Sequence, residues 1–214
     1  MSKIVNCLTE SQTDLLIHHI NYLIEHNFVR REPELQQIFC DTCQMYADAP
    51  MEAVLHYVQP KIEEAYGKEL VPTYSFWRRY FKGQDCPPHK DRPSCEVSVT
   101  LNLGGEGGHD WAIYVDDQKF QTEVGQGVIY KGCDQEHWRH ELDYNFHTQL
   151  FIHYIEKEGK FYNYISGVEE TESTIDVKAL NAQGIGNLTS QIVDGSNRVF
   201  TYSFNLNNDI QIND

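Results

Sequence analysis

The most informative run of the sequence covers residues 86–103 and reads CPPHKDRPSCEVSVTLNL. In its second half, apolar and polar residues alternate without exception. The apolar members occupy the odd-numbered positions Cys95, Val97, Val99, Leu101 and Leu103. The polar members occupy the even-numbered positions Glu96, Ser98, Thr100 and Asn102. Side chains of a strand point alternately to its two faces, so this segment predicts a strand with its odd-numbered face turned inward.

The first half of the same run carries two candidate metal ligands. His89 and Asp91 are two residues apart, so in an extended chain they project to one side, which shares the parity of Val97 and Val99. A third ligand is expected from a later strand facing back across the interior, and His137 in the segment EHWRH supplies it. Two histidines and one carboxylate with open positions are the coordination set of non-haem Fe(II) oxygenases, in which the open positions take a chelating co-substrate and O₂.

Two alternatives to this site stay open. In a chain with 10 histidines, a histidine and an aspartate at this spacing also arise by chance and then serve only the structure. His140 competes with His137 for the third position, because residues three apart in a strand face opposite sides and only one of them can point inward.

The region from residue 71 to about residue 155 consists of short segments rich in β-branched and aromatic residues. Turn-forming Gly, Asp and Pro separate them. We expect strands near residues 73–82, 95–103, 111–116, 119–124, 127–131, 136–142 and 147–155. A helical segment followed by many short strands predicts an α+β fold whose β part is a sandwich or a jelly roll.

The first third of the chain has helical patterns. Thr9, with Gln12 three residues later, forms the capping-box start of a first helix. A second helix is expected over residues 33–45 and a third over residues 50–67, with a kink or interruption at Pro60.

The C-terminal part changes composition and is rich in Asn, Ser and Thr. It has weak strand patterns at residues 161–165 and 197–205, which fit strands that extend the sheet, an oligomer contact or a partly ordered tail. The predicted organisation is therefore an N-terminal helical segment at 1–70, a β core at 71–158 and a C-terminal extension at 159–214.

Composition and charge argue against several classes of protein. The 214 residues include 17 Lys and Arg against 32 Asp and Glu, a formal net charge of −15, so nucleic-acid binding through counterion release is not expected. No segment has the roughly 20 apolar residues of a membrane span, and no export signal is evident. We therefore expect a cytoplasmic protein with no membrane or nucleic-acid partner, whose 6 cysteines are free thiols.

Six segments, taken in order, resemble a known enzyme family. They are residues 74–80 (YSFWRRY), 89–92 (HKDR), 98–103 (SVTLNL), 127–132 (GVIYKG), 137–139 (HWR) and 149–154 (QLFIHY). Together they resemble the 2-oxoglutarate- and Fe(II)-dependent dioxygenases, in particular the prolyl-4-hydroxylase-like branch with its short bacterial and viral members. The resemblance implies a double-stranded β-helix, or jelly roll, with the N-terminal helices packed on one sheet.

Carried onto this sequence, the resemblance assigns His89, Asp91 and His137 to Fe(II), and the His-Trp-Arg segment favours His137 over His140. It implies 2-oxoglutarate and O₂ as co-substrates, ascorbate as reductant, and succinate and CO₂ as products. The implied reaction is hydroxylation of an unactivated C–H bond, in a peptidyl proline or in a small molecule.

The sequence departs from the family pattern at the co-substrate anchor. The family places a Lys or Arg about ten residues past the distal histidine, where it pairs with the distal carboxylate of 2-oxoglutarate. Here that segment holds His147, Thr148 and Gln149. A protonated His147, with Gln149 beside it, is one expected substitute. The others are Arg78, Arg79 and Tyr80 on the first strand, Lys119 on a middle strand, and Arg139.

Two functions from other classes remain as alternatives. A cupin-like metalloprotein would use the same roll with a metal but without 2-oxoglutarate. A non-catalytic β-roll binding module would use neither, and would keep its partner after replacement of His89.

Overall fold

The computed structural model describes residues 2–29, 43–106 and 111–162, together with the backbone of residues 187–193 and 199–205. The chain divides into two units, Met1–Val168 and Glu169–Asp214. The boundaries expected near residues 70 and 158 stay predictions.

Helix α1 (Glu10–Glu25) begins at the predicted capping box. The Thr9 hydroxyl accepts a hydrogen bond from the backbone N–H of Gln12, and the Gln12 side chain accepts one from the N–H of Thr9 at 2.9 Å. These two bonds satisfy N–H groups that have no partner within the first helical turn.

Helix α2 (Ala49–Tyr66) continues through Pro60, which therefore does not interrupt it. It ends at Gly67, whose φ of 88° lies in the left-handed region that favours glycine. In the described residues, neither α1 nor α2 combines the length and the hydrophobicity that a bilayer crossing requires.

The second helix predicted from the sequence is wrong where the structure describes it. Residues 43–46 form strand β2 (Cys43–Tyr46), while residues 33–42 lie outside the described part of the chain. Strand β1 (Lys3–Asn6) was not predicted either. Both strands lie at the edges of a sheet and contain four residues, too few for a periodic pattern to identify them.

The other strands of the first unit follow the sequence prediction closely. In chain order they are β3 (Leu70–Phe81), β4 (Cys86–His89), β5 (Val97–Gly105), β6 (Ile113–Val115), β7 (Gln118–Phe120), β8 (Gln126–Tyr130), β9 (His137–Arg139) and β10 (Phe146–Glu156). All but β4 coincide with an expected strand segment to within a few residues. A 3₁₀ helix at Pro93–Cys95 precedes β5.

These strands form two antiparallel sheets. The main sheet has the order β1-β8-β5-β10-β3-β2, and the minor sheet has the order β4-β9-β6-β7. From β3 to β10 the chain passes repeatedly between the sheets, because β3, β5, β8 and β10 belong to the main sheet and the strands between them to the minor sheet. This alternation is the winding of a jelly roll, as the sequence predicts.

One face of the main sheet, which we call the helix face, carries Val97, Val99 and Leu101 of β5. Its side chains share a single hydrophobic core with apolar residues of α1 and α2. Other members of that core are Leu16, Ile20, Met51, Leu55, Val58, Ile62, Trp77, Leu150 and Ile152. Burial of this apolar surface stabilises the layer of helices against the sheet.

The opposite face, which we call the roll face, lies toward the minor sheet. Ser98, Thr100 and Asn102 occupy it and are buried, because the minor sheet covers them. Arg139 of β9, for example, donates a hydrogen bond to Thr100 Oγ1 at 3.1 Å. The expectation that only the odd-numbered face of β5 points inward is therefore wrong, since both faces are buried.

The second unit contains a two-stranded antiparallel sheet of β11 (Asn187–Val193) and β12 (Val199–Asn205). Strand β12 coincides with the strand pattern expected at residues 197–205. The other expected strand does not include residues 161 and 162, and residues 163–165 lie outside the described residues.

Candidate metal centre

Two strands of the minor sheet bring the three predicted ligands together. His89 at the end of β4 lies opposite His137 at the start of β9, and Asp91 follows two residues after His89. One ligand atom from each of the three residues lies within 4.8 Å of the others. Asp91 Oδ1 is 3.5 Å from His137 Nε2 and 3.7 Å from His89 Nε2. The three side chains therefore face one common point.

Backbone carbonyl groups orient both imidazoles. His89 Nδ1 lies 2.8 Å from the carbonyl oxygen of Pro87, and His137 Nδ1 lies 3.1 Å from that of Gln135. Because a carbonyl oxygen only accepts, each Nδ1 carries a proton, and the Nε2 atoms are the ring nitrogens that face Asp91. Histidines that bind a metal through Nε2 are oriented in the same way.

Burial and neighbouring groups set the charges of this cluster. Burial, and then the neighbouring His137, lower the pKa of His89, so its ring is neutral at pH 7. Burial raises the pKa of Asp91, but His137, His153 and Ser98 together outweigh burial and lower that pKa to about 2. The site thus offers a neutral imidazole at His89 and an ionised carboxylate at Asp91, protonation states that suit metal binding.

The ligands meet the even-numbered side chains of β5. Asp91 Oδ2 accepts a hydrogen bond from Ser98 Oγ at 2.9 Å. The expectation that the ligands share the side of Val97 and Val99 is therefore wrong, since those residues lie on the helix face. The reason is the 3₁₀ helix at Pro93–Cys95, which breaks the alternation between Asp91 and β5.

His140, the alternative third ligand, lies outside the cluster. Its side chain is exposed, and its ring centroid lies 5.0 Å from that of Tyr114 and 4.6 Å from that of Trp138. His137 is 3 % exposed and points into the roll. The geometry therefore brings His137, and not His140, to His89 and Asp91.

Arg139 places a buried positive charge close to this cluster. It follows His137 by two residues on β9, so both side chains point to the same side of the strand, into the roll. Its guanidinium donates to Thr100 Oγ1 and to the carbonyl oxygen of Trp111, and lies 4.8 Å from the Trp111 ring centroid. No Asp or Glu in the described ranges forms an ion pair with it. A buried cation without an acidic partner is suited to binding an anion.

Three further anchor candidates lie on the roll face beside Arg139. Tyr80 of β3 lies opposite His147 of β10, and burial is the main reason why the pKa of Tyr80 is raised to about 12. Gln149 accepts from Thr100 Oγ1 at 3.0 Å and donates to His147 Nε2 at 2.7 Å. Because the Gln149 amide nitrogen only donates, His147 Nε2 is the acceptor of this bond.

Arg79 is not brought to the site. It lies on the helix face, where Nε donates to Thr148 Oγ1 at 3.0 Å and Nη2 donates to Asn21 Oδ1 of α1 at 2.8 Å. Arg78 lies on the roll face and donates from Nε to Gln44 Oε1 at 2.9 Å. Lys119 of β7 is exposed. Two of the four basic candidates therefore lie close to Tyr80 and Gln149. The Arg78 guanidinium is 5.5 Å from the Tyr80 ring centroid, and Arg139 donates to Thr100, which bonds Gln149.

Sequence reasoning missed several residues around the ligands. Ser98 contacts Asp91, and Thr100 joins Arg139 to Gln149. Their signal in the sequence is a row of polar residues on one face of a strand, which also describes an ordinary solvent-facing surface. Only the position of the minor sheet distinguishes the two cases.

Comparisons with known proteins agree with this geometry at the level of the fold. No protein-family model and no curated protein matches the chain. Among solved structures, the viral collagen prolyl hydroxylase of Paramecium bursaria Chlorella virus-1, solved as a 2-oxoglutarate complex, is 15% identical and has a TM-score of 0.52, covering 72% of this chain and 94% of that chain. A prolyl hydroxylase from Trichoplax adhaerens, in complex with a peptide fragment of the hypoxia inducible factor oxygen degradation domain, is 10% identical with a TM-score of 0.56, covering 73% and 84%.

A third similar structure is the non-haem α-ketoglutarate-dependent epimerase of nogalamycin biosynthesis. It is 9% identical with a TM-score of 0.60, and the match covers 78% of this chain and 85% of that chain. At such identities the similarity shows the fold. The chain has the jelly roll found in these oxygenases, so the resemblance seen in the sequence is confirmed for the fold.

Proposed function

We propose that the protein is an Fe(II)- and 2-oxoglutarate-dependent oxygenase that hydroxylates an unactivated C–H bond. One observation supports this most directly: two imidazoles, each held through Nδ1 by a backbone carbonyl oxygen, and one carboxylate converge inside the roll, at His89, His137 and Asp91. Two nitrogens and one oxygen leave positions open on a six-coordinate metal, which suits Fe(II) that must also bind a co-substrate and O₂.

Iron and 2-oxoglutarate, when bound, supply the oxidising chemistry, in which O₂ gives one oxygen atom to the substrate and one to succinate, with loss of CO₂. The protein's residues have the tasks of holding and enclosing. His89, Asp91 and His137 would hold the metal, and the roll would exclude water from it. Ascorbate would serve as an external reductant.

Arg139 is the residue that we assign to the distal carboxylate of 2-oxoglutarate. Its charge is buried, has no acidic partner in the described residues, and lies on the same side of β9 as His137. Tyr80 and Thr100 offer hydroxyl groups nearby. Arg139 would thus replace the basic residue that the family carries on the last strand, where this chain has His147.

The substrate is proposed by class only. A peptidyl proline and a small molecule both fit, because the similar structures include a prolyl hydroxylase with a bound peptide and an epimerase of nogalamycin biosynthesis. The bound peptide and the role in nogalamycin biosynthesis are properties of those two proteins.

Release of succinate tests the proposal. The purified protein is incubated with Fe(II), ascorbate, 2-oxoglutarate and O₂, and succinate is measured at a high protein concentration, so that slow turnover without substrate is detected. The wild-type protein and His140→Ala should release succinate, whereas His137→Ala should release none, because only His137 faces the cluster.

Other outcomes would contradict the proposal. A protein that binds Fe(II) but leaves 2-oxoglutarate intact would be a cupin-like metalloprotein. A protein that binds no divalent metal would be a β-roll binding module. Equal succinate release by His137→Ala and the wild type would place the reaction elsewhere.

A further inference from the structure

We propose that Ser98, His153 and Gly132 are positioning residues that hold one carboxylate oxygen of Asp91 away from the metal, so that Asp91 binds through the other oxygen alone. This inference rests on the proposed metal centre. It adds residues that touch neither the metal nor the co-substrate and act through Asp91.

Ser98 provides the direct contact. Its hydroxyl lies 2.9 Å from Asp91 Oδ2, 3.2 Å from the carbonyl oxygen of Cys95 and 3.0 Å from His153 Nδ1. A hydroxyl has one proton, and of its three neighbours the charged carboxylate oxygen is both the nearest and the strongest acceptor. Since the Ser98 proton is directed to an oxygen, His153 Nδ1 must donate its own proton to Ser98 Oγ.

His153 orients the Ser98 hydroxyl through the bond from its Nδ1 to Ser98 Oγ. Its side chain is 3 % exposed, and its ring lies 4.6 Å from the ring of Tyr74 and 5.9 Å from that of Phe76. Its Nε2 is buried with no hydrogen-bond partner. An unpartnered buried nitrogen is costly, so an apolar side chain would suit this aromatic surrounding better. Among the described residues, the bond from Nδ1 to Ser98 is the one hydrogen bond of this ring, and Ser98 in turn bonds Asp91.

Gly132 lies next to the hydrogen bond between Asp91 and Ser98. Its carbonyl oxygen accepts a hydrogen bond from the backbone N–H of Asp91 at 2.8 Å. A Cβ at this position would lie 2.4 Å from Asp91 Oδ2, 2.4 Å from the backbone carbonyl oxygen of Cys95 and 2.5 Å from Ser98 Oγ. Any side chain would therefore push apart the two atoms that form the hydrogen bond. The absence of a Cβ at residue 132 is what allows Asp91 and Ser98 to meet.

The three contacts have a common consequence for Asp91. Oδ2 is engaged by Ser98, while Oδ1 faces His89 and His137 at 3.7 and 3.5 Å. Ligation through Oδ1 alone leaves more of the coordination sphere for other molecules than ligation through both oxygens would. Without the Ser98 hydroxyl, the Asp91 carboxylate would be free to rotate about its Cβ–Cγ bond. Its metal affinity and its mode of ligation should then both change.

Titration of the metal-free protein with Co(II), whose visible spectrum reports coordination, tests this inference. Ser98→Ala should weaken Co(II) binding by about 10- to 100-fold and alter the spectrum, and Ser98→Thr, which keeps the hydroxyl, should restore both. Ser75→Ala is the matched control, because Ser75 Oγ is a buried hydroxyl that binds Glu52 on the helix face. Its Co(II) affinity and spectrum should equal those of the wild type.

Two further variants probe the same contacts, and the second of them separates positioning from a general structural role. Gly132→Ala should weaken Co(II) binding at least as much as Ser98→Ala does. His153→Phe should weaken it by about tenfold, the lower end of the same range, while the metal-free protein keeps or gains resistance to urea, because the partnerless Nε2 is removed.

The inference is overturned if folded Ser98→Ala binds Co(II) with the affinity and the spectrum of the wild type. Should Gly132→Ala fail to fold, the two Ser98 variants decide alone. A wild-type protein that binds no Co(II) would instead overturn the metal centre itself, so the two failures are distinguishable.

Discussion

The two faces of β5 are buried to the same degree but differ in chemistry. Val97, Val99 and Leu101 on the helix face are 0% exposed, and Ser98, Thr100 and Asn102 on the roll face are at most 2% exposed. The helix face packs against the helices through apolar contacts, which have no preferred direction. The roll face instead forms directional hydrogen bonds to Asp91, Gln149 and the carbonyl oxygen of Thr122. Burial alone therefore does not separate the supporting side of the sheet from the candidate site.

Replacement of Leu101 by alanine should have the largest effect on stability. Leu101 is fully buried on the helix face, so its truncation leaves a cavity and should lower the free energy of unfolding by about 2–5 kcal/mol. Urea unfolding of the metal-free protein measures this loss. The Co(II) affinity of the folded fraction should not change.

A matched control and a contrary result are available for that prediction. Leu15→Ala removes a leucine that is 71% exposed and should change stability by less than about 0.5 kcal/mol. A loss below about 1 kcal/mol for Leu101→Ala, or an equal loss for both variants, would show that the helix face is not the packed side of the sheet.

Thiol reactivity should show that both sides of the sheet are closed to reagents. Burial is the main reason why the pKa of Cys7, in the core with the helices, and the pKa of Cys95, beside Asp91, are each raised to about 12. The thiolate is the reactive form, so at pH 8 both thiols should react about a thousandfold more slowly than an exposed cysteine. The residual rate should rise about tenfold for each pH unit from 7 to 9. The measurement is alkylation with iodoacetamide, followed by mass spectrometry, in the folded protein and in the urea-unfolded chain. Reaction of either cysteine in the folded protein at the rate of the unfolded chain would contradict this prediction.

Replacement of Arg139 by methionine should weaken 2-oxoglutarate binding by about 10- to 100-fold, because it removes a buried hydrogen bond between two charged groups. The Co(II) affinity should change little. Arg79→Met is the matched control on the helix face. It removes the bonds to Thr148 and Asn21, so it should reduce stability and leave 2-oxoglutarate binding unchanged. Calorimetric titration of each Co(II)-loaded variant with 2-oxoglutarate measures the co-substrate affinity. The opposite pattern would assign the anchor to Arg79.

The smallest predicted effect lies outside the sheet, at the start of α1. Thr9→Ala removes the side chain that accepts from the Gln12 N–H, and should lower the free energy of unfolding by about 1 kcal/mol. Thr9→Ser keeps the oxygen and should lose less. Both variants should bind Co(II) and 2-oxoglutarate normally, and urea unfolding is the measurement. Equal stability of Thr9→Ala and the wild type would show that this cap contributes nothing.

The sequence predicts those features that depend on local patterns. The capping box at Thr9, the alternation in β5 and the turn residues between strands are local, and the helix α1 and the strands of the roll follow from them. The choice of His137 over His140, which the resemblance favoured, also agrees with the geometry, since His137 lies in the cluster and His140 is exposed.

Features that depend on a distant partner were not predictable. Strands β1 and β2 exist because β8 and β3 offer free edges, and nothing within Lys3–Asn6 or Cys43–Tyr46 indicates this. The burial of Ser98 depends on the minor sheet. Likewise, only strand register places Arg79 against α1, whereas the two-residue spacing from His137 already puts Arg139 on the ligand side of β9.

Anaerobic titration of the protein with Fe(II) and then 2-oxoglutarate tests the central claim most directly, because a metal chelated by 2-oxoglutarate gives a weak charge-transfer band in the visible range. The wild type and His140→Ala should show this band, His137→Ala should lack it, and Arg139→Met should need a higher 2-oxoglutarate concentration to produce it. The absence of the band from the wild type, or an unchanged band in His137→Ala, would contradict the account.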